Sequence, residues 1–592
     1  MQRNALISFD ELTRVFDDLR EIDSIKNMGT HALEEFAPMF QADIYTQEDT
    51  RNLLPFFTNL DRSVYVPLIF APELVGALCS RTSRAPGDLR YIFLNEFLYP
   101  FIKPERDGKD TDAAWNEKVR YGKELASFIE FLQTHPILDL FANPRARSFY
   151  VKWLAQYGDD SIAQMAGSHI GFWGISQVAI KHIEDQRIGL APIEKSTRYV
   201  NYSQKVNGHY LYYTDPTLVD YGLKEEYERV MDNLFDTYSQ LLPRLITWLK
   251  QNFPEEKSGV IEKKAFDTLR GLLPSSTLSQ VAFFGNGQAF EYLVTRSLKH
   301  PLGEIRWAGE RAYEELFNIT PAFLRRIKDE IKSEVAEEYQ HYLAGRGMRM
   351  QPFVKEFENP IWPVLQPDVR LIESSGDETQ IIAGMLYGAP TCHLPWERIQ
   401  ADVRLMDTEK RRAVIAAYLR GRSQRWQRAG RAFEHVYNRF EIVMNIGAYR
   451  DLHRHRMLSQ ERQHFSCYHG YDVPPEIIVS GLKSEFCGAL DQMTGLFVRI
   501  ARIDPELAQY ATALAHRLRF MQWENLTQSF WQIELRTIPE GHPDYRHIEQ
   551  EKFLLLEKKY PLIAEHMRVN LGEYDFARRG QEEKIQKKME QM

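Results

Sequence analysis

The chain has 592 residues, a length that at roughly 150 residues per domain corresponds to about four domains and excludes one small compact core. Hydrophobic residues make up 44% and charged residues 26%, an ordinary globular balance that excludes disordered and fibrous classes. Lysine and arginine number 74 against 82 acids, and the net charge of −8 argues against a protein that coats nucleic acid or an anionic membrane over its whole surface. Anionic ligands must then be met by local basic pockets.

The N-terminal stretch MQRNALISFDELTRVFDDLREID is amphipathic and mixed in charge, and it lacks the apolar core of a signal peptide. Its residues 9–22 predict a helix, and residues 1–61 read as a helical extension. No apolar run approaches the roughly 20 residues of a membrane span. The four cysteines, Cys79, Cys392, Cys467 and Cys487, form no CxxC pair, which is the usage of a reducing compartment. A soluble cytoplasmic protein is expected.

Apolar residues at three- and four-residue spacing dominate the rest, so the protein reads as mostly α with a minor β component. A short strand is predicted in SVYVPLIFA (63–71), and a helix in KELASFIEFLQTH (123–135). A second strand candidate, GHYLYYT (208–214), precedes a long helical pattern over 218–253. The segment GRGMRMQPFVKEFENPIWPVLQP (345–367) holds four prolines, and residues 341–367 read as a linker. Beyond it lie a strand candidate, DVRLIES (368–374), and a helical pattern over 408–440.

The two sides of the linker echo each other, as in a duplicated unit. APELVGALCSRTSR (71–84) and GDETQIIAGMLYGAPT (376–391) each follow a strand candidate with an acidic helix start. On each side a His then opens an apolar stretch, at His169 and His435, which ends in an Arg-containing loop.

The second of these loops concentrates Arg450, Arg454, Arg456 and Arg462 with His453, His455 and His464. Guanidinium forks at that density suit phosphate or carboxylate oxygens; the bland alternative is a solvated loop paired with nearby acids. A zinc site from His453, His455, Cys467 and His469 has no second pair at finger-like spacing. In the first loop, Glu194, Ser196, Arg198 and Tyr199 offer an acceptor, a hydroxyl, a guanidinium and a ring within six positions, able to hold a nucleotide's phosphate and base edge.

Together these residues resemble the flavin-dependent thymidylate synthases. That family's signature runs Arg-His-Arg-x-x-Ser, then Glu-x-Ser-x-Arg-Tyr, preceded by a Glu-His pair. The second half carries Glu434-His435 and Arg454-His455-Arg456-Met-Leu-Ser459; the first carries Glu194-Lys-Ser196-Thr-Arg198-Tyr199, with His169 in the place of the earlier His. Downstream the first half adds Arg270-Gly-Leu-Leu-Pro274, Asn286-Gly-Gln288 and Arg296, and the second adds Asn525 and Glu534-Leu-Arg536 more loosely. The resemblance implies a helix-dominated α+β fold of two tandem units, at 62–340 and 368–575, each a small antiparallel sheet with packed helices. The extension precedes them and a charged tail, 576–592, follows.

The resemblance also implies an activity: reductive methylation of dUMP to dTMP with methylenetetrahydrofolate, FAD and NADPH. Glu194, Ser196, Arg198, Tyr199, Arg270 and Arg296 would bind substrate, with Arg198 and Arg296 closest to the chemistry. His435, Arg454, His455, Arg456, Ser459 and Asn286 would bind FAD. Two chains would pair as a homodimer that completes a pseudo-tetramer.

Neither half is a complete member. The first has Gln186-Arg187-Ile188 in place of Arg-His-Arg, and Gln288 in place of an Arg. The second has Arg462-Gln-His464-Phe-Ser466-Cys467 in place of Glu-x-Ser-x-Arg-Tyr. One alternative is therefore a degenerate member that binds flavin or nucleotide without making thymidylate. A helical protein that grips nucleic acid through the 450–468 loop is another, against which the acidic net charge argues.

Overall fold

Strands in this chain end where a polar side chain can begin a helix, and that junction recurs four times. The computed structural model describes residues 4–8, 31–108, 110–150, 152, 160–328, 333–357 and 368–576. Among them the strands are, in chain order, β1 (Ala5–Ile7), β2 (Val64–Tyr65), β3 (Gly167–Ser176), β4 (Leu190–Glu194), β5 (Lys205–Val206), β6 (His209–Tyr210), β7 (Leu278–Asn286), β8 (Val369–Ser374), β9 (Tyr437–Asn445), β10 (Ser459–Arg462), β11 (Tyr471–Val473) and β12 (Arg517–Asn525).

Two four-stranded antiparallel sheets are ordered β2-β3-β7-β4 and β8-β9-β12-β10. The order is the same, so β3, β7 and β4 correspond to β9, β12 and β10. Register carries the correspondence down to residues: Gly167 faces Asn286 as Tyr437 faces Asn525, and Glu194 faces Val281 as Arg462 faces Phe520. The fold is thus helix-dominated with two small four-stranded antiparallel sheets, and the duplication expected from the sequence is built into it.

At the junctions, Ser176, Asn286, Asn445 and Asn525 cap the helices Gln177–Glu184, Gly287–Ser297, Ile446–Leu452 and Leu526–Arg536. Each side chain accepts a backbone N–H three residues on, at 2.8 to 3.0 Å, an interaction worth about 1 kcal/mol. Two of the caps also reach the acid that opens a later helix. Ser176 donates from N and Oγ to Glu304 at 2.7 and 2.6 Å, and Asn445 donates to Asp544 at 2.6 Å.

One continuous cluster of buried side chains runs through both halves. Its midpoint is a stretch of backbone pairing between matched segments. Ser275 N donates to Thr512 O at 2.7 Å and Leu514 N donates to Leu273 O at 2.9 Å. Pro274 and Ala513, equally distant from the starts of β7 and β12, bridge to each other. A pseudo-twofold axis therefore passes through that pair, an isologous interface contained in one chain.

The structure corrects several expectations. Within the extension, the predicted helix at 9–22 lies outside the described residues. Those described form strand β1, a single turn at Leu33–Phe36 and the helix Gln47–Leu53, and β1 pairs with β11 of the second half. The segment read as a linker is helical for half its length: Ser333–Lys355 is one helix with Pro352 inside it. Proline there removes a hydrogen bond from the last turn, where a helix loses least, and packing against Gly287–Ser297 supports the rest. Its residues 358–367 lie outside the described residues, as does the tail from 577. The helical pattern over 408–440 splits into the helix Thr408–Tyr418 and, from Tyr437, strand β9; Gly421 and Gly430, at φ 90° and 101°, turn the chain between them. Among the described residues no helix is long and apolar enough to cross a membrane.

Candidate active site

The two polar loops singled out in the sequence meet across the pseudo-twofold axis. Arg450 of the second half donates to Glu194 of the first, from Nη2 at 2.8 Å and Nε at 3.2 Å, and Lys181 bonds the other carboxylate oxygen. Burial alone would raise the Glu194 carboxyl, but Lys181, Arg450 and Arg454 hold it well below its usual value. His453 bridges Glu184 and Asp185 of the first half at 3.1 and 3.0 Å. Arg462 grips Asp185 at 2.8 and 3.3 Å.

Beside this interlock lies a cluster drawn from both halves. Arg198 is buried and bidentate on Asp267, at 2.7 and 2.9 Å. Burial would raise the Asp451 carboxyl, yet the guanidiniums of Arg454, Arg198, Arg536 and Arg270 keep it far below the carboxylate range. Arg454 Nε and Arg270 Nη2 are buried without a hydrogen-bond partner. Arg536 donates from Nη2 to Asp451 O at 2.7 Å and from Nε to His455 Nε2 at 2.8 Å. That bond makes the imidazole nitrogen an acceptor, and burial together with Arg536 keeps His455 neutral. A cavity of about 270 Å³ adjoins the cluster, lined among others by Asp267, Arg270, Asn445, His542, Asp544 and Arg546. Burial and the nearby Arg270 lower His542 to about 4.

The pseudo-symmetric position holds a different set. A second cavity, also about 270 Å³, is lined by His182, Asp185, His300, Arg462, Glu506 and Gln509 among others. Counting back from β7 and β12, Glu506 and Gln509 stand where the first cluster has Asp267 and Arg270. Burial and Arg296 lower His300 to about 3. The two sites are therefore related in backbone and distinct in chemistry.

The sequence profile described as thymidylate synthase complementing protein matches residues 107–322 and again residues 370–562. The chain belongs to that family, twice over. Membership makes it a thymidylate synthase-like, methyltransferase-like chain in tandem form. A UPF0159 protein of Chlamydia muridarum is 32% identical over 91% of this chain and 98% of its own length; one of Chlamydia pneumoniae is 31% identical over 89% and 96%. A UPF0159 protein of Thermoplasma acidophilum is 29% identical over 73% of this chain and 91% of its own. A solved UMP/dUMP methylase, PolB from Streptomyces cacaoi bound with 5-Br dUMP, is 18% identical over 34% of this chain and 96% of its own, at a TM-score of 0.27. A likeness that slight carries no argument.

The family's signature residues do not all gather where the sequence put them. Arg198, Arg270 and Arg454 do. Arg296 does not: its charged neighbours are Asp185, Arg346 and Arg462, in the second cluster. Counted from the matched caps Asn286 and Asn525, Arg536 falls where the first half has Ser297, one position past the counterpart of Arg296. One position turns a helical side chain by about 100°, and the change of half moves it across the axis. Arg536, quoted loosely in the sequence, is the arginine that the site contains, and its eleven-residue distance from Asn525 was the signal that could have found it.

Other residues serve the scaffold. Asn286 spends its Oδ1 on the helix cap. Ser196 Oγ accepts from Arg198 N at 3.2 Å and so shapes the turn that presents Arg198; the Tyr199 ring lies near Arg84. His435 is exposed and rests on Trp396, ring centroids 4.6 Å apart. His169 is not its counterpart, because the register places His169 opposite Phe284 and His435 two residues before β9 begins. A β-bulge at Gly174 and a longer following helix separate the two halves there. Arg456 and Ser459 are exposed, and Arg456 also bonds Leu190 O. In the first half Arg187, at φ 64°, directs its guanidinium to the carbonyls of His453 and His455 and to Gln460.

Proposed function

We propose that the chain catalyses the flavin-dependent reductive methylation of dUMP to dTMP, with methylenetetrahydrofolate as one-carbon donor and NADPH as reductant. The site is composite, with units at 62–340 and 368–575 dividing the work in a cytoplasmic protein. The observation that carries this reading is the meeting of Arg198 and Arg270 with Arg454 and Arg536 around Asp451. Four guanidiniums against Asp451 and Asp267 leave two positive charges in excess, which suits a phosphomonoester dianion. The unpaired donor Arg270 Nη2 is available to such a ligand.

FAD suits the second half rather than the first. Arg454 keeps an unpaired donor, and Arg456 and Ser459 are exposed; these three would hold its phosphates. Arg187 of the first half is already spent on backbone carbonyls. When bound, FAD supplies the hydride. The protein's own part is to bind and orient: Arg198 and Arg270 would clamp the nucleotide phosphate. Arg536, held by Asp451 O and His455, would donate to a uracil oxygen as charge develops there, a contribution of about 3 kcal/mol.

One observation favours the second reading, a family member that binds flavin or nucleotide without thymidylate synthesis, as a partner subunit or on another pyrimidine. Asp267 already occupies Arg198 bidentately, so a nucleotide must displace a formed ion pair. Purified protein given dUMP, methylenetetrahydrofolate, NADPH and FAD should form dTMP and should oxidise NADPH faster when dUMP is present. Bound flavin with no dTMP formed would favour the second reading.

A further inference from the structure

Behind Arg536 a row of polar side chains runs into the core of the second half. Arg536 Nε donates to His455 Nε2 at 2.8 Å, His455 Nδ1 lies 3.4 Å from the Gln528 amide, and Gln528 meets Gln532 at 3.1 Å. Gln532 meets a Glu549 oxygen at 2.6 Å, and Lys552 stands between Glu549 and Glu524, at 3.5 and 2.9 Å. From Gln528 inward these side chains are at most 5% exposed. The first half keeps the same backbone without them. Positions match through the capping Asn286 and Asn525 and through the helix acids Glu304 and Asp544. On that count Glu524, Gln528, Gln532, Glu549 and Lys552 stand where the first half has Gly285, Ala289, Leu293, Gly309 and Ala312. The fold therefore does not need the row, and burying its charges carries a desolvation cost. It is present only on the side of the axis that holds the Asp451 cluster.

The row has a direction. A guanidinium Nε only donates, so His455 Nε2 accepts, and the neutral ring carries its proton on Nδ1. That N–H needs an acceptor, so the Gln528 atom facing it is the amide oxygen. The same oxygen faces Gln532, which donates to it from the amide nitrogen and turns its own oxygen toward Glu549. Two oxygens 2.6 Å apart hold a proton between them, and only Glu549 can supply it. The surroundings agree. Burial raises the Glu549 carboxyl and Glu524 adds to the rise, against Lys552 and Arg536. A neutral Glu549 also leaves Lys552 and Glu524 as a balanced pair.

We propose that Gln528, Gln532 and a protonated Glu549 are positioning residues for Arg536: the one-way row fixes His455 as the Nδ1–H tautomer, and His455 in turn fixes the aim of the guanidinium. The assignment deepens the catalytic reading and rests on it, since Arg536 is there the donor to the uracil oxygen.

Heteronuclear NMR on the full chain with labelled histidine should show His455 neutral, with its proton on Nδ1. Gln528→Leu and Glu549→Leu should each release the ring into a mixture of tautomers. Glu549→Gln should keep the single tautomer, because its amide donates to Gln532 as the acid does. The infrared difference between the parent and Glu549→Gln at neutral pH should contain a carboxylic acid C=O band from the parent. In turnover, Gln528→Leu should lower kcat for dTMP about tenfold with KM for dUMP within about threefold and circular dichroism unchanged. An Nε2–H His455 in the parent, a Glu549 that absorbs only as carboxylate, or a Gln528→Leu chain with the tautomer and kcat of the parent would overturn the proposal. A parent that shows the tautomer and the acid band yet forms no dTMP would support the row and overturn the catalytic reading alone.

Discussion

Arg450 and Glu194 come from opposite halves of the chain and meet at 2.8 Å, both buried. Lys181, which occupies the place of Arg450 in the first half, holds the same carboxylate. One acid thus contacts two buried cations, of which Lys181 also pairs with Glu184. Glu194→Gln leaves Arg450 uncompensated and should cost about 3 to 5 kcal/mol, read as a lower denaturant midpoint. Arg450→Met removes one cation and leaves the Lys181 pair, so it should cost clearly less; an equal loss would mean that the acid is not the centre of the interlock.

The exchange of Arg296 for Arg536 separates two otherwise similar variants. Arg536→Ala should lower the rate of dTMP formation by about 100- to 1,000-fold, with flavin absorbance retained. Arg296→Ala, in the other cluster, should stay within about threefold of the parent. The reverse order would return Arg296 to the site.

Asp451 is an anion kept in place by four guanidiniums. Its carboxyl is held below the value of the unfolded chain, so it contributes stability that is present above that value and is lost as pH falls through the folded one. Asp451→Asn should therefore be less stable at neutral pH and show a shallower loss on acidification. With one negative charge fewer in the cluster, it should also bind inorganic phosphate about tenfold more tightly, measurable by calorimetry.

Glu304 behaves in the opposite sense. Burial raises its carboxyl from 4.5 to about 7, against the bonds it accepts from Ser176 and from Tyr510, the latter at 2.8 Å. The folded protein holds the proton more tightly, so the stability this confers is complete below about 4.5 and is lost as pH rises through about 7. Glu304→Gln, neutral throughout, should flatten that stretch of the stability curve by up to roughly 3 kcal/mol. Urea denaturation of both proteins across the interval measures it.

Much of this was legible in the sequence because it depends on local chemistry. The Arg-His-Arg loop and the Glu194 to Tyr199 run are contiguous, and the strand register confirms that Arg462 stands where the first half has Glu194. What was not legible is which half faces which. Arg296 and Arg536 both end a helix after a capping Asn, and only the pseudo-twofold axis decides which of them joins Arg198. His169 misled for a local reason, since the bulge at Gly174 breaks the count that would have excluded it. Gly345, Gly347 and Pro352 read as breakers because propensity is local, whereas the helix that contains them is supported by tertiary packing.

The matched pair Glu194 and Arg462 also bears on what fusion permits. In an assembly of identical subunits a substitution appears at every copy, so an Arg in place of Glu194 would face Lys and Arg side chains on both sides of the axis at once. Within one chain the two positions are addressed separately, and the linkage keeps the halves at a high effective concentration however asymmetric their contact becomes. One position keeps the acid that pins Lys181 and Arg450; the other carries a base and finds Asp185. Joining the halves therefore gives each side of the axis its own charge, which a symmetric pair could never hold.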